Sequence, residues 1–516
     1  MVVRFAATLC VGLICAACSA DQDPPGRAVD HRSALTAPDP KAFAHDAGDV
    51  PDAAPTGLVN DDGDELLDPG GPKLVALAME TYIHRSPSHQ SPRLGYLRAG
   101  TIVARKSNPA GNEGCSGGFY RIAPRGYVCA GKTASLDAGE PLGEAAMPGP
   151  KRGEAYPYHY VISRSPAPHL YVRLPTVEDQ RRVEGRPATG PVLNPWARAQ
   201  LSWLGPADPL TPFLQSGRDL PKPIGAEERL RFPVHRGRAK AKSAFGLMAT
   251  FDWTDRRFGF TTELDLIPID RTQVVRPSRM HGVRIETPGV PAFVMHGGGR
   301  VFERLKPGKF KPIANAEFRS GWVLTGNGDG VTVEEASRGY VPAGYLETTS
   351  GVWLAAEGLR VGALTQDSWG YAKKGKKWID VSIERQLLIA YEGTRPVFAT
   401  LVSTGRGGLG DPKVTSATVQ GVFFIQSKHV STTMDGSGGA ASRDLHDVPY
   451  VQYFQGNYAL HGVYWHDGFG KTMSSGCVNL APADALWLFE WTDPTVPSSW
   501  HGAYSPQGGT LVYIHR

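Results

Sequence analysis

Apolar and polar residues alternate along much of this chain, as they do in β-strands that bury one face. Residues 378–383 follow this pattern, and a turn at 384–386 returns the chain through the apolar run 387–391. A second turn leads into another alternating run at 396–403. Glycine and proline are abundant between such runs, which indicates many turns. The pattern predicts a mainly β chain whose last 150 residues open with a meander.

The remainder of this C-terminal segment, residues 368–516, adds two strands and one helix. Residues 422–425 and 510–514 are short apolar runs with the length of strands. Residues 482–491 are predicted to be helical, because Pro482 stands at an early helical position where no N–H is needed.

Two smaller β units are expected upstream. Residues 73–135 contain a strand–turn–strand pattern at 94–105, followed by short strands at 119–122 and 126–129. The heptapeptide at 125–131, Arg-Gly-Tyr-Val-Cys-Ala-Gly, returns at 338–344 as Arg-Gly-Tyr-Val-Pro-Ala-Gly. The repeat predicts a second unit of the same kind over residues 290–350.

Residues 150–290 lie between these units and carry no chemical motif. Residues 258–261 and 264–269 have the composition of strands, and the charged segment 177–185 has that of a helix. We expect a β-rich region that serves as a scaffold or in recognition.

The N-terminus has the features of an export signal. One arginine precedes an apolar run that ends at residue 17 and is too short for a comfortable transmembrane helix. Residues 18–72 are rich in Asp, Pro, Ala and Gly, cannot bury enough apolar surface to fold, and are expected to be disordered. Residues 1–17 are therefore predicted to be a signal peptide and residues 18–72 a tether.

Cys18 follows two alanines, which resembles a bacterial lipobox with Cys18 as the lipidated residue. An ordinary signal peptide cut near Ala17 or Ala20 is the alternative. Ser19 after the cysteine resembles the signal for sorting to the outer membrane. We expect a periplasmic protein that contacts the membrane only through a lipid anchor.

Composition excludes several classes of function. The net charge is +5 and is spread along the chain without a dense basic run, so nucleic acid is not an expected partner. The 15 histidines show no His-x-x-x-His or Cys/His spacing, so neither a metal nor a cofactor is expected.

Six cysteines narrow the chemistry. Three lie in the N-terminal segment, and Cys115 and Cys129 bracket a glycine-rich stretch that a disulfide would close. Cys477 is left without a partner. An unpaired thiol in an exported protein is usually buried or chemically useful.

The motif around this thiol favours a catalytic role for Cys477. Residues 474–480 read Ser-Ser-Gly-Cys-Val-Asn-Leu, and His461 precedes Cys477 by sixteen positions in the run Ala-Leu-His-Gly. A thiol and an imidazole on neighbouring strands can act as nucleophile and base. A packed thiol beside a core histidine is the structural alternative.

These residues resemble the active-site segment of the L,D-transpeptidases, the YkuD family. The family pattern is a histidine, a loop, and then Ser/Thr-His-Gly-Cys-x-Asn or -Arg. This chain departs from it in having Ser475 in place of the second histidine, a shorter loop, and Thr-Val-Gln-Gly at 418–421 instead of Thr-Pro-x-Gly. The unit at 73–135 is similar to bacterial SH3-like domains.

The resemblance assigns roles to the residues of this segment. Cys477 is the expected nucleophile, His461 its base, and the carbonyl of Gly462 the group that orients His461. His466 is the rival base. Backbone N–H groups of Ser475, Gly476 and Cys477 are expected to stabilise the oxyanion. The residues expected to bind substrate are Asn479, Ser474, Tyr453 and Trp465. The alternatives are a local turn hydrogen bond for Asn479 and simple packing for Tyr453 and Trp465.

The expected activity is a peptidoglycan L,D-transpeptidase that forms a thioester with a tetrapeptide stem and passes it to an acceptor amine, forming a 3–3 cross-link. One alternative is the same chemistry with another acceptor, in an L,D-carboxypeptidase or an enzyme that attaches proteins to the wall or releases them. The other is a non-catalytic wall-binding lipoprotein. The intact pair of His461 and Cys477 favours an enzyme.

Overall fold

The computed structural model describes residues 67–68, 70–145, 149–185, 195–276, 278–297, 299–339, 343–366, 370–435, 444–505 and 507–516. All of them belong to one unit that spans Val50–Arg516. The described part of the chain is mainly β, as the alternating pattern predicted. The predicted signal peptide, Cys18 and almost all of the predicted tether lie outside the described residues.

The N-terminal unit is built from seven short strands. They are β1 (Lys73–Ala76), β2 (Thr81–His84), β3 (Arg93–Leu97), β4 (Ile102–Ala104), β5 (Phe119–Arg121), β6 (Tyr127–Cys129) and β7 (Ala134–Ser135). The predicted strands and the predicted disulfide between Cys115 and Cys129 are confirmed. The buried core of this unit includes Trp500 and Ala503 from the C-terminal part of the chain. The SH3-like character of the unit stays a prediction.

The middle region combines four short helices with further strands. They are α1 (Pro141–Ala145), β8 (His159–Ser163), β9 (His169–Tyr171), α2 (Val177–Glu184), α3 (Pro195–Leu204), α4 (Pro212–Gln215), β10 (His235–Arg238), β11 (Ala244–Trp253), β12 (Arg256–Thr261), β13 (Leu266–Pro268), β14 (Thr272–Val274) and β15 (Val283–Arg284). Helix α2 confirms the prediction for 177–185, with a Thr176 capping box at its start and Gly185 in the left-handed conformation at its end.

A seven-stranded sheet follows. Its elements are β16 (Val290–Val294), β17 (Gly299–Lys306), β18 (Lys309–Ala316), β19 (Gly321–Asp329), α5 (Val333–Ser337), β20 (Tyr345–Thr348), β21 (Trp353–Ala355) and β22 (Leu359–Val361). The sheet extends past the predicted end at residue 350, because β21 and β22 pair with β17 and β16. Residues 340–342 of the repeated heptapeptide lie outside the described residues.

The C-terminal domain contains the predicted meander and helix. Its elements are β23 (Lys377–Ser382), β24 (Leu387–Glu392), β25 (Arg395–Leu401), β26 (Gly421–Phe424), β27 (Ser427–Asp435), β28 (Asp444–Gln455), β29 (Tyr458–Gly462), β30 (Val478–Leu480), α6 (Pro482–Trp491), β31 (Gly502–Tyr504) and β32 (Leu511–His515). Strands β23, β24 and β25 pair in sequence, and β32 lies parallel to β23. The predicted elements of residues 378–403, 422–425, 482–491 and 510–514 are confirmed.

A single sheet joins three of these regions. The twelve-residue strand β28 pairs with β27 and β29 and touches β11 of the middle region through the parallel partners Leu445 and Ala244. On the other side, β27 pairs with β31, which pairs with β3 of the N-terminal unit. The C-terminal domain thus lies between the two upstream regions, with continuous backbone hydrogen bonding.

The main core of the C-terminal domain packs the meander against the two strands that carry the cysteine motif. Ile379, Leu388, Leu460, Val478 and Leu480 are all fully buried in it. The backbone around residues 460 and 478 is therefore fixed by apolar packing. Among the described residues, none of the helices is long and apolar enough to span a membrane.

Candidate active site

Two adjacent parallel strands hold the cysteine motif and its histidine. In the pairing of β29 with β30, Leu460 faces Val478 and His461 faces Asn479. Side chains two residues apart on a strand share a face. Cys477 therefore lies on the same face as Asn479, one step before the paired segment. The neighbour of His461 across the strands is Asn479, and the thiol lies beyond it.

A chain of four hydrogen bonds passes through these side chains. His461 Nδ1 is 2.9 Å from the Gly462 carbonyl oxygen, and His461 Nε2 is 3.0 Å from Asn479 Nδ2. Asn479 Oδ1 is 3.1 Å from His466 Nε2, and His466 Nδ1 is 3.2 Å from the Gly468 nitrogen. His461 and Asn479 are each 2% exposed, so water does not compete for the two bonds that His461 makes. The expected contact between His461 and the Gly462 carbonyl is confirmed.

The two ends of this chain fix the position of every proton in it. A carbonyl oxygen only accepts, so the Gly462 oxygen places a proton on His461 Nδ1. A backbone N–H only donates, so Gly468 leaves His466 Nδ1 unprotonated, and His466 Nε2 donates to Asn479 Oδ1. Asn479 then donates its N–H to His461 Nε2. His461 is held as the neutral tautomer whose Nε2 lone pair can receive a proton, as a general base requires.

The thiol of Cys477 is partly exposed. Its Sγ lies 3.5 Å from the carbonyl oxygen of Asn457, and among the described residues no hydrogen bond joins it to His461. Burial raises the pKa of Cys477 to about 11, and burial also lowers the pKa of His461 to about 4. Both groups are therefore neutral near pH 7. In this arrangement the thiol is hydrogen-bonded to Asn457, and His461 Nε2 is hydrogen-bonded to Asn479.

The loop before the thiol is held by its own hydroxyl groups. Ser474 Oγ donates to the Cys477 carbonyl oxygen at 2.5 Å and accepts from the Gly476 N–H at 3.0 Å. The buried Thr418 hydroxyl donates to the Gly476 carbonyl oxygen at 2.7 Å and accepts from the Gly405 N–H. This is the threonine that survives in the altered 418–421 motif, and it links that motif to the thiol loop.

Gly476 has a structural requirement for glycine. Its φ is +136°, and a Cβ at this position would lie 2.8 Å from Cε1 of the Tyr458 ring. The same loop limits the expected oxyanion donors. The Gly476 N–H is bonded to Ser474 Oγ, whereas the N–H groups of Ser475 and Cys477 have no bonded partner in the described part of the chain. Two of the three expected donors thus remain available for a substrate oxygen.

Two aromatic side chains pack against the same apolar cluster as Cys477. Tyr453 and Trp465 belong to the apolar cluster that Cys477 joins, and the Trp465 ring lies 5.9 Å from the ring of His461. Burial, together with the nearby Cys477, raises the pKa of Tyr453 to about 12, so its hydroxyl stays neutral. The role of Tyr453 and Trp465 as the walls of a substrate groove stays a prediction.

Two of the predicted substrate-binding side chains are engaged inside the protein. The Asn479 amide is bonded to both imidazoles, and the Ser474 hydroxyl is bonded within its loop. The rival base, His466, has both ring nitrogens bonded and reaches His461 only through Asn479. The structure places it as a support of His461, through Asn479.

Arg406 is a residue that sequence reasoning did not single out as functional. Its exposed guanidinium lies 3.3 Å from the hydroxyl of Ser475, the residue that stands where the family has a second histidine. Arg406 follows the meander, about seventy positions before Ser475. Its proximity depends on the contact between the Arg406 N–H and the Ser474 carbonyl oxygen. No local sequence signal reveals that contact.

The seven-stranded sheet supports the loop that carries His466. Arg319 forms an ion pair with Asp467 at 3.0 Å, and Arg360 donates to the Gly470 carbonyl oxygen at 2.8 Å. Ser278, from the segment before that sheet, donates to the Asp467 carboxylate at 2.6 Å. These contacts hold the far end of the hydrogen-bonded chain from outside the C-terminal domain.

Comparison with known proteins identifies the segment that carries this site. Residues 376–514 match the family model of the YkuD L,D-transpeptidase catalytic domain, so the resemblance of this segment is confirmed. No curated protein sequence matches the chain significantly.

Several solved structures are similar to part of the chain. A crystal structure of an Enterococcus faecium L,D-transpeptidase mutant is 20% identical, with a TM-score of 0.21, over 27% of this chain and 50% of that one. An L,D-transpeptidase from Xylanimonas cellulosilytica is 25% identical, with a TM-score of 0.20, over 27% and 61%. One from Mycobacterium smegmatis is 14% identical, with a TM-score of 0.22, over 48% and 89%. The chain spans about half the length of the E. faecium protein.

Proposed function

We propose that this protein is a peptidoglycan L,D-transpeptidase that forms a thioester between Cys477 and a tetrapeptide stem and transfers it to an acceptor amine. The observation that carries the proposal is the protonation state of His461. Its Nδ1–H is bonded to the Gly462 carbonyl oxygen, and its Nε2 accepts from Asn479 on the strand that directly follows Cys477. The match of residues 376–514 to the YkuD family supports the substrate class.

The first half of the reaction forms the thioester. The sulfur of Cys477 attacks the carbonyl carbon of the bond before the terminal D-amino acid of the stem, while His461 Nε2 takes the thiol proton. The N–H groups of Ser475 and Cys477 stabilise the oxyanion of the tetrahedral intermediate. His461 then returns the proton to the departing amine, and the C–N bond breaks.

The second half reverses these roles. An acceptor amine attacks the thioester carbon and gives up one proton to His461 Nε2. The C–S bond breaks, and the Cys477 sulfur recovers a proton from His461. The product is a new amide, which is a 3–3 cross-link when the amine belongs to the diaminopimelate residue of a second stem.

The neutral resting pair explains how the site avoids side reactions. A thiol with a pKa near 11 contains almost no thiolate at neutral pH, so it reacts slowly with oxidants and stray electrophiles. Substrate must bring the carbonyl carbon and the thiol together before proton transfer becomes favourable. The hydrogen bond from Asn479 to His461 Nε2 must also break at that moment, because the single lone pair of Nε2 cannot accept from Asn479 and from the thiol together.

Arg406 is proposed to bind the free carboxylate at the end of the donor stem. A guanidinium pairs well with a carboxylate, and Arg406 lies beside Ser475 at the exposed end of the thiol loop. Tyr453 and Trp465 would form the apolar walls that exclude water from the thioester.

Export and anchoring complete the proposal. We propose that residues 1–17 direct export and that Cys18 is lipidated, which would place the enzyme in the periplasm on the outer membrane. Metabolic labelling with a palmitate analogue tests this. Label in the intact chain and none in Cys18→Ala is the expected result, whereas equal labelling would exclude Cys18 as the lipidated residue.

The activity is tested by intact mass after incubation with a carbapenem, whose strained amide acylates an activated thiol. We expect one adduct on the intact protein and none on Cys477→Ser. His461→Ala should be acylated much more slowly. Absence of an adduct on protein with a reduced thiol would contradict the proposal.

The acceptor is tested separately with a disaccharide-tetrapeptide as substrate. A Cys477-dependent dimer of the stem would support transpeptidation. Release of the terminal D-amino acid without a dimer would indicate a carboxypeptidase instead.

A further inference from the structure

A buried histidine near the start of β28 has a ring nitrogen without a hydrogen-bond partner in the described part of the chain. His446 is 5% exposed, and among the described residues its Nε2 forms no hydrogen bond. A buried polar atom left unpaired costs about 1–3 kcal/mol, so such an atom calls for an explanation. The active-site mechanism does not use this residue.

Two carboxylates surround this histidine. Oxygens of Glu227 and Asp444 and a ring nitrogen of His446 all lie within 4.8 Å of one another. Asp444 and His446 are two residues apart on β28, which directs both side chains to one face of the strand. Glu227 comes from the loop after α4. We infer that these three side chains bind a divalent transition-metal ion, with Zn²⁺ as the best match to the ligand set.

The orientation of the imidazole supports this assignment. Nδ1 of His446 lies 3.7 Å from the Glu263 carboxylate, and the ring stacks on Phe245 with centroids 5.0 Å apart. A metal-binding histidine typically turns its other ring nitrogen toward a carboxylate, which fixes the tautomer and leaves the second nitrogen for the metal. Glu263 also accepts a hydrogen bond from the Glu227 N–H, so it supports two of the three ligands.

The donor set and the surrounding space suit zinc. Zn²⁺ binds imidazole nitrogen and carboxylate oxygen at about 2.0–2.2 Å, often with three protein ligands and one water. The cluster lines a cavity of about 620 Å³, which gives an ion and its water a route from solvent. Donor atoms around zinc lie about 3.3 Å apart by this geometry. The three donor atoms, which lie within 4.8 Å of one another, therefore have to draw closer around the ion.

Cations currently occupy two of the three ligands, because Arg229 forms an ion pair with Glu227 and Lys240 forms one with Asp444. The Lys240 ammonium lies 2.9 Å from Asp444 Oδ2 and 3.1 Å from Oδ1, and its side chain is 51% exposed. A cation in this position competes with a metal for the same carboxylate. Since the lysine can turn into solvent, its removal should strengthen metal binding. A purely structural ion pair would give no such gain.

The experiment is titration of the Cys477→Ser protein with zinc chloride by calorimetry, so that the active-site thiol cannot contribute a ligand. We expect one Zn²⁺ per chain, binding at least tenfold weaker in Asp444→Asn and in His446→Gln, and severalfold tighter in Lys240→Met. The exposed His281 is the matched control, and His281→Gln should bind as tightly as the parent. Zinc should also raise the melting temperature of the parent by a few degrees, since a ligand of the folded state stabilises it.

Binding that Asp444→Asn and His446→Gln leave unchanged would overturn the inference, as would no binding at all. If either buried variant fails to fold, Glu227→Gln gives the same test at a partly exposed position. Weaker binding in Lys240→Met would also count against the site, because it would show that the ion pair and the metal do not share Asp444.

Discussion

Replacing Asn479 with aspartate tests whether this side chain sets the protonation of the base. The change keeps the shape of the side chain but converts the N–H donor facing His461 Nε2 into a carboxylate oxygen. Nδ1 already donates to the Gly462 carbonyl oxygen. His461 can satisfy both partners only as the imidazolium, which cannot accept the proton of Cys477.

The size of the effect follows from one distance. Asn479 Nδ2 and His461 Nε2 are 3.0 Å apart. Two opposite unit charges at that separation attract by about 5.5 kcal/mol at an effective dielectric constant of about 20, and about 1.36 kcal/mol corresponds to one pKa unit. Burial of the new carboxylate and its contact with His466 reduce this. We therefore expect the pKa of His461 to rise from about 4 to between about 6 and about 8.

The assay is the rate of Cys477 acylation by a carbapenem between pH 5 and 9. In the parent, the base is neutral over this whole range. In Asn479→Asp, a His461 pKa near 7 would make acylation at pH 6 about tenfold slower than acylation by the same variant at pH 8 or 9, where His461 is neutral. Asn479→Leu is the control, because it removes both hydrogen bonds without adding charge and should slow acylation equally at every pH. Identical pH profiles for the two variants would refute this account of Asn479.

Three further predictions follow from the structure. Replacing Cys115 and Cys129 with serine should lower the free energy of unfolding by about 3 kcal/mol, because the disulfide closes a loop of about fifteen residues. Chemical denaturation measures this change, and a loss below about 0.5 kcal/mol would contradict the prediction. Gly476→Ala should reduce carbapenem acylation at least tenfold, since its Cβ would meet the ring of Tyr458; parental rates would show that the loop adapts. Burial lowers the pKa of Lys428 to about 7. Between pH 7 and about 10.5 the unfolded chain therefore binds more protons than the folded protein, so the free energy of unfolding should rise with pH across that window. Lys428→Met should remove this slope.

The sequence alone predicted the local elements well and their long-range partners poorly. Alternation identified the strands of 378–403, and Pro482 marked the start of α6. Both signals lie within a few residues. The pairing of β28 with β11 and of β31 with β3 joins segments that are hundreds of residues apart, and strand alternation carries no information about which strand will be the neighbour.

The same limit applies to the active site. The motif identified Cys477 and His461, and it correctly gave the Gly462 carbonyl as the partner of the ring. It did not reveal that Asn479 lies between two imidazoles, because that contact follows from the register of β29 and β30. Arg406 escaped notice for a similar reason, since its loop reaches Ser475 only in the folded chain.

The shared sheet has a consequence for any attempt to study the catalytic domain alone. Cutting the chain before residue 368 would remove β3 from β31 and β11 from β28, exposing backbone groups at residues 502–503 and 445 together with the apolar side chains of Trp500 and Ala503. Exposed edges of this kind recruit other chains. The isolated domain should therefore self-associate or aggregate, and loss of wall binding by such a fragment would reflect that behaviour as much as the absence of a recognition module.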